Sequence, residues 1–411
     1  MTASIGSTTR AAVPRIPRGY SGLTLFSYGF RPFFLAGSAW AAVSILLWIP
    51  QYFGEFMPTA VLSPRDWHIH ELLYGYLAAV IAGFLLTAIP NWTGRLPVAG
   101  LPLAGLFAIW FAGRAAMLLS PLLGAAPAAV IDIAFLVTLA AVALREIVAG
   151  RNWRNLRVLG ALLVLIVGNV VFHAEAAISG VADYGIRVGI AAAIGLIMLI
   201  GGRIVPSFTH NYLRRVAAHG NPGRLPQSFS RFDTIAMLVA AVALVAWIAT
   251  PSRLLTGVLF VVGGALQAVR LARWAGDRSR SDRLVLALHV GYGFIPFGFF
   301  LIGLASVRPD LISPSAGVHA WTAGAFGMMT MAVMTRATLG HTGRPLVASR
   351  ATEALYALVV IAAFARIGSS FAYSELLLLV AAFAWVGAFG GFVLVYGPML
   401  LRITRSAGNQ C

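Results

Sequence analysis

Long apolar runs alternate with short polar connections along almost the whole chain. Each run has about 20 residues, the length that an α-helix needs to cross a hydrocarbon core of about 30 Å. The runs are too long and too continuously apolar for the strands of a membrane barrel, so they are typical of helices, which satisfy their own backbone hydrogen bonds. The pattern predicts an all-α polytopic membrane protein with twelve transmembrane helices, over residues 32–50, 67–89, 102–120, 127–148, 155–178, 184–206, 231–251, 253–274, 284–307, 316–338, 352–372 and 376–401.

These spans leave no room for a large soluble domain. We expect one membrane domain over 32–401, between an N-terminal tail (1–31) and a C-terminal tail (402–411). The N-terminal tail contains arginines but no apolar core of the kind that a signal peptide has. The longest connection, 207–230, is polar and basic, and it is a candidate joint between two halves.

The net charge of +17 is explained by topology, because all thirty basic residues are arginine and their positions are asymmetric. If the N-terminus lies in the cytoplasm, 24 arginines fall on the cytoplasmic side and five on the other. This is the positive-inside distribution of membrane proteins. It predicts that both termini are cytoplasmic, and it indicates contact with anionic lipid instead of nucleic acid.

The only cysteine is Cys411, the last residue. A disulfide framework, a thiolate metal site and a C-x-x-C-H site for covalent haem are therefore excluded.

A repeat of four helices is visible in the sequence. A shift of 249 positions superposes His70 on His319, Gly75 on Gly324 and residues 93–95 on 342–344, all of them Thr-Gly-Arg. The matches lie at both ends of spans 2 and 10, which run in the same direction. Internal symmetry is common in membrane folds, and here it suggests three arcs of four helices, with spans 2, 6 and 10 in equivalent places.

Four of the eight histidines fall at the outer face of the predicted bundle: His68, His70, His173 and His319. An ionisable side chain inside a bilayer is costly unless it has a partner, and imidazoles at one depth are typical ligands of haem iron or copper. The alternative is that each is an interfacial histidine, solvated or bonded to a carbonyl.

The spacing of His68 and His70 predicts two separate centres, because residues i and i+2 lie about 200° apart on an α-helix. We expect His70 and His319, which the repeat relates, to be the axial pair of a low-spin haem b. His68 and His173, supported by Glu175 or Glu71, would serve a second centre, either copper or a five-coordinate haem.

Two further sets of residues are candidates. Arg114 and Asp132 have similar depth in spans 3 and 4, which predicts a buried ion pair or, alternatively, a contact from Arg114 to a haem propionate. On the cytoplasmic side, positive-inside anchoring explains most of the arginines, but a second site is also possible there, formed by Arg95, His210, His289, His341 and Arg344.

Several motifs resemble the NnrS family: FRPFF at 30–34, WHIHE at 67–71, AGFLLTAIPNWTG at 82–94, Gly113-Arg114, MTR at 334–336 and LGHTGR at 339–344. The resemblance covers nearly the whole chain. It implies a haem- and copper-containing protein of the bacterial inner membrane that protects against nitric oxide and is linked to denitrification. It does not assign ligands.

The leading functional hypothesis is therefore binding or redox handling of nitric oxide at histidine-ligated centres, and whether this amounts to enzymatic turnover is left open. The arcs also suggest an analogy with the catalytic subunit of haem–copper oxidases, but spans 6 and 7 have no internal histidine, which argues against nitric-oxide reduction. The alternatives are a twelve-helix secondary transporter with a buried Arg/His path, and an assembly factor for the denitrification machinery.

Overall fold

The computed structural model describes residues 20–55, 61–218, 220–371 and 373–402. Most of the two predicted tails, 1–19 and 403–411, lies outside these residues. The described chain is all-helical, with no β-strand. Its long helices are α1 (Phe30–Tyr52), α2 (Pro64–Thr93), α3 (Leu101–Leu118), α4 (Ala125–Ala149), α5 (Trp153–Ser179), α6 (Asp183–Ala217), α7 (Arg231–Ala249), α8 (Leu254–Ala272), α9 (Arg283–Val307), α10 (314–341), α11 (Arg350–Gly368) and α12 (Glu375–Leu401).

Each predicted span overlaps one of these helices. Eleven of them are long and apolar enough to cross a membrane, and α10 is not among the eleven. The all-helical, multi-span prediction is thus confirmed in its coarse form, while the count of twelve spans and the orientation stay predictions. One boundary is wrong: the first half of the predicted connection 207–230 is helical, because α6 continues to Ala217.

Local sequence explains where α2 and α10 begin. Ser63 caps α2 by accepting a hydrogen bond from the Asp66 amide at 3.1 Å, and Ser313 caps α10 in the same way through the Ser315 amide at 3.3 Å. A proline follows each serine, at the first helical position, where its missing N–H costs nothing. The two caps begin the two helices that hold His68, His70 and His319, three of the four histidines expected at the outer face.

Helices α2 and α10 also share a wide π-helical turn. It covers Glu71–Leu77 in α2 and Ala320–Phe326 in α10. The 249-residue shift superposes these two segments residue for residue. The same shift brings the beginnings of α1–α4 within four residues of those of α9–α12. The repeat between the first and third groups of four helices is therefore present in the structure.

The packing places α2 and α10 inside the bundle. Helix α2 contacts α1, α3, α4 and α6, whereas α10 contacts α1, α6, α9, α11 and α12. Helix α1 packs against α12, so the first and last helices are neighbours. We call the end of the bundle at which α2, α6 and α10 begin the site end; there Arg65 forms a 3.0 Å ion pair with Asp183.

Close packing between α5 and α6 gives a stability prediction. A Cβ atom at Gly168 would lie 2.8 Å from the Tyr74 hydroxyl and 2.9 Å from the Gly189 nitrogen, whereas one at Gly160 on the same helix meets nothing within 4 Å. We expect Gly168→Ala to lower the free energy of unfolding by about 1–3 kcal/mol through overpacking. The control Gly160→Ala should be neutral or slightly stabilising, since alanine favours helix. Thermal unfolding in detergent checks this, and equal midpoints for the two variants would contradict it.

Candidate metal and haem sites

Three side chains converge inside the site end of the bundle: His70 of α2, Asp132 of α4 and His173 of α5. We call them the triad. The His70 Nε2 and His173 Nε2 atoms lie 3.2 and 3.1 Å from the same carboxylate oxygen, Asp132 Oδ2. Their three ligand atoms lie within 4.8 Å of one another, and the His70 and Asp132 side chains are fully buried.

A second layer of charged groups surrounds the triad. The His70 Nδ1 atom lies 2.9 Å from Glu71 Oε1, and the other oxygen of Glu71 accepts hydrogen bonds from Arg114 at 2.6 Å and from the Trp40 indole at 2.7 Å. Arg114 also donates to Asp132 Oδ1, so the ion pair expected between these two residues is present. The guanidinium therefore bridges both carboxylates.

Charge balance shows what this arrangement lacks. Glu71 and Asp132 carry two negative charges and Arg114 one positive charge, so the set has a net charge of −1 if both imidazoles are neutral. A buried unbalanced charge costs several kcal/mol. Either a proton on His70 or a monovalent metal cation between the ring nitrogens and Asp132 would bring the net charge to zero.

The triad has the chemistry of a transition-metal site. Neutral imidazole and carboxylate suit iron, copper and zinc. Ligand atoms that share one ion through bonds of about 2 Å lie about 3–4 Å apart, as the Asp132–histidine distances do. The contact from Glu71 to the far nitrogen of His70 is the outer-shell carboxylate that orients metal-bound histidines in many proteins.

A cavity lies on the other side of α2. About 950 Å³ of atom-free space, part of it continuous with the surroundings, lies between α1, α2, α6, α10, α11 and α12, and the centre of a water molecule could occupy about 140 Å³ of it. Its wall is mostly aliphatic and aromatic, with Trp48, Tyr76, Phe326 and Trp385 as the large rings. The polar side chains that interrupt it at the site end include His68, His319 and Arg366.

The two cavity histidines are held differently. His319 Nδ1 lies 2.7 Å from the Ser315 carbonyl oxygen one turn earlier, which fixes the ring, and Nε2 has no hydrogen bond to any residue that the structure describes. His68 stacks on Trp48, with ring centroids 4.2 Å apart, and its buried Nδ1 atom has no hydrogen-bond partner among the described residues. A buried, unpartnered imidazole nitrogen beside a large apolar cavity fits a ligand of haem iron.

The structure groups the histidines differently from the expected pairs. His68 and His70 do lie on opposite sides of α2, as their spacing predicts. However, His70 meets His173 through Asp132, with ring centroids 4.9 Å apart, and His68 shares the cavity with His319. The expected pairs His70–His319 and His68–His173 are thus exchanged.

Two other candidate residues, Glu175 and Arg114, are bound by groups of the protein itself. Both carboxylate oxygens of Glu175 accept backbone hydrogen bonds from the first turn of α6, from Tyr184 at 3.1 Å and Gly185 at 2.7 Å. Glu175 is therefore a helix cap, favoured there by the helix dipole. Arg114 is engaged by Glu71 and Asp132 and does not line the cavity, so the ion-pair interpretation accounts for it without a propionate.

The residues proposed for a second site at the opposite end have separate surroundings. Arg95 forms an ion pair with Glu146 at 2.6 Å, and His289 lies 2.8 Å from the Thr209 hydroxyl. His341 packs against two aromatic rings of the chain's beginning. His210 and Arg344 share none of these contacts, so the described residues do not form one cluster there.

The sequence reasoning missed three residues of these sites. Asn169 donates to Asp132 Oδ2 at 2.8 Å. It lies four residues before His173, so both are on one face of α5. This spacing could have identified Asn169 as a neighbour of the site from the sequence. Asp132 itself was assigned only to Arg114. Arg366 is one of the five arginines expected on the side opposite the cytoplasm. No local sequence pattern marks it as a cavity residue.

Comparison with known families gives one match. The model of a family described as "NnrS protein" matches residues 24–403. A search of curated proteins gave no match. The matched region contains every residue of the triad and of the cavity wall.

The buried ion pair gives a prediction about non-additivity. Asp132→Leu should reduce the free energy of unfolding by about 3–5 kcal/mol, because it leaves Arg114 buried and short of a partner. The double variant Asp132→Leu/Arg114→Met should lose less than the sum of the two single variants. Removing the exposed Arg308–Asp310 pair serves as control and should change little. Additive losses in a double-mutant cycle, measured by unfolding in detergent, would contradict the coupling.

Proposed function

The chain belongs to the NnrS family, and from this premise we propose that it is a haem- and copper-binding protein of the bacterial inner membrane that protects against nitric oxide. The observation that carries the proposal is the pairing of two different histidine sites on opposite sides of α2. One is a large apolar cavity with two histidines, and the other is a compact cluster of two histidines and a carboxylate.

The cavity residues fit haem b. His319 would be the anchored ligand, because its Nδ1 is already fixed by the Ser315 carbonyl. His68 would be the exchangeable ligand, because only stacking on Trp48 holds it. Bound haem would supply an iron that takes nitric oxide as a ligand, and the apolar wall would exclude water from it.

The triad fits copper. His70, His173 and Asp132 would be the ligands, with Glu71 orienting His70 and Asn169 donating to Asp132. Bound copper would supply a one-electron redox centre at a place where the protein otherwise needs a proton on His70 for charge balance. The protein's own contribution is therefore an anionic, dehydrated pocket whose charge matches a cation.

The haem assignment predicts two different spectra for the cavity variants. His319→Ala should lose haem, because the anchored ligand is gone. His68→Ala should keep haem but change it from low-spin to high-spin, since one of the two histidines that would hold the iron is removed. The optical spectrum of the purified protein checks both, with His210→Ala as control. An unchanged spectrum in both cavity variants would refute the assignment.

The copper assignment predicts a separate loss. His173→Ala should lower the copper content to background while the haem content stays, because His173 belongs to the triad and not to the cavity wall. Metal analysis alongside haem quantification measures this. If His173→Ala and His68→Ala lose both groups together, the two sites are not independent and the assignment fails.

The physiological proposal is tested by nitric oxide itself. We expect its addition to the reduced, haem-loaded protein to shift the spectrum, and we expect cells that lack the protein to be more sensitive to nitric oxide while still respiring nitrate. Rapid formation of N₂O by the purified protein would show that it is a reductase, which the absence of histidine within α7 argues against. A protein that takes up no haem would instead favour the secondary transporter.

A further inference from the structure

Each of the two helix repeats has an arginine at the site end, where its equivalent histidine, His70 or His319, also lies. The residues that surround the two arginines differ. Arg114 lies on α3 and Arg366 on α11, which the 249-residue shift superposes. Under the same shift Arg366 falls three positions from Arg114, which is on the same helix face. Both arginines are at the site end of the bundle.

The acidic partners of the first repeat are absent from the second. The shift places Glu71 on Ala320 and Asp132 on Ala381, so the two carboxylates that bind Arg114 correspond to two methyl groups. Ala381 lines the cavity together with Arg366. The second repeat therefore has no carboxylate at either of the two positions that hold the partners of Arg114.

Arg366 is consequently a cation without a carboxylate. Its NH1 atom donates to Ser369 at 2.9 Å and Ser370 at 3.2 Å. All thirteen acidic side chains of the chain lie within the described residues, and none forms an ion pair with Arg366. A guanidinium at the edge of an apolar cavity is costly without an anion, and its fork geometry suits a carboxylate.

The arginine is also connected to the haem-ligand candidate. The Ser370 hydroxyl donates to the Ser315 hydroxyl at 3.4 Å, which lies 3.1 Å from His319 Nδ1. The anion that Arg366 binds would therefore sit close to the ring that would hold the iron.

From these contacts, we propose that Arg366 binds a carboxylate of the cavity ligand, and that this carboxylate, a propionate if the ligand is haem, takes the place that Glu71 and Asp132 occupy around Arg114. The identity of the ligand rests on the function proposed above. The recognition of a carboxylate rests on Arg366 and the two alanines.

The test compares haem b with its dimethyl ester, which keeps the iron and the ring but has no carboxylate. Both are titrated into the full-length apoprotein, and affinity is read from the Soret band. The unchanged protein should bind haem about 10- to 100-fold more tightly than the ester, the difference expected of a charge-assisted hydrogen bond. Equal affinities would overturn the inference, and this comparison does not depend on any variant folding.

Variants of Arg366 test whether this arginine causes the preference for haem over its dimethyl ester. Arg366→Met should bind both porphyrins with the affinity that the unchanged protein has for the ester, and Arg366→Lys should recover part of the preference. Arg187 is the matched control: it lies at the same end, over the Tyr184 ring, and does not line the cavity. If Arg366→Met retains the full preference, or Arg187→Met loses it, the inference is wrong.

The repeat allows the reverse experiment. Ala381→Asp places a carboxylate in the wall of the cavity that Arg366 also lines, so it should lower haem affinity to that of the ester, whereas the neutral isostere Ala381→Asn should retain more of the preference for haem. Added nitrite or phosphate should have little effect on the binding of haem. If these anions instead displace haem strongly and do not displace the ester, the site binds a small anion, and the propionate assignment is overturned. Failure to bind either porphyrin would instead contradict the proposed function.

Discussion

The buried bridge from Arg114 to Glu71 and Asp132 is the interaction on which the site end depends. It joins α2, α3 and α4 inside an apolar bundle, where a charge without a partner is costly. His70, Asn169 and Trp40 complete the hydrogen bonds of the two carboxylates. Because every member holds another member in place, the ring nitrogens of His70 and His173 are fixed before any cation arrives, which is what a metal site requires.

The fold class could be predicted from the sequence because it depends on local properties. Apolar run length predicts each helix, and Ser-Pro pairs mark the beginnings of α2 and α10. The opposite orientation of His68 and His70 also follows from helix geometry alone. None of these predictions depends on how the helices pack against one another.

The pairing of the histidines could not be predicted in that way. The repeat correctly relates His70 to His319, but equivalent positions of a repeat face equivalent neighbours and need not face each other. His70 faces α4 and α5, and His319 lies beside α11. The π-helical turns also make it harder to predict which side chains share a helix face. A wide turn rotates the side chains that precede it relative to the side chains that follow it.

Divergence between the repeats explains why one protein has two kinds of site. In the first repeat the acidic residues satisfy Arg114 internally, so the space is filled and the site is compact and polar. In the second repeat the equivalent positions are Ala320 and Ala381, so Arg366 has no carboxylate partner there, and the cavity wall is apolar with a cation at its edge. The same helical framework therefore forms a compact cluster of histidine and carboxylate on one side of α2 and a large apolar cavity with a cationic edge on the other. Among the described helices, α2 alone contributes a histidine to both the triad and the cavity wall, so a change in the position of α2 would alter both at once.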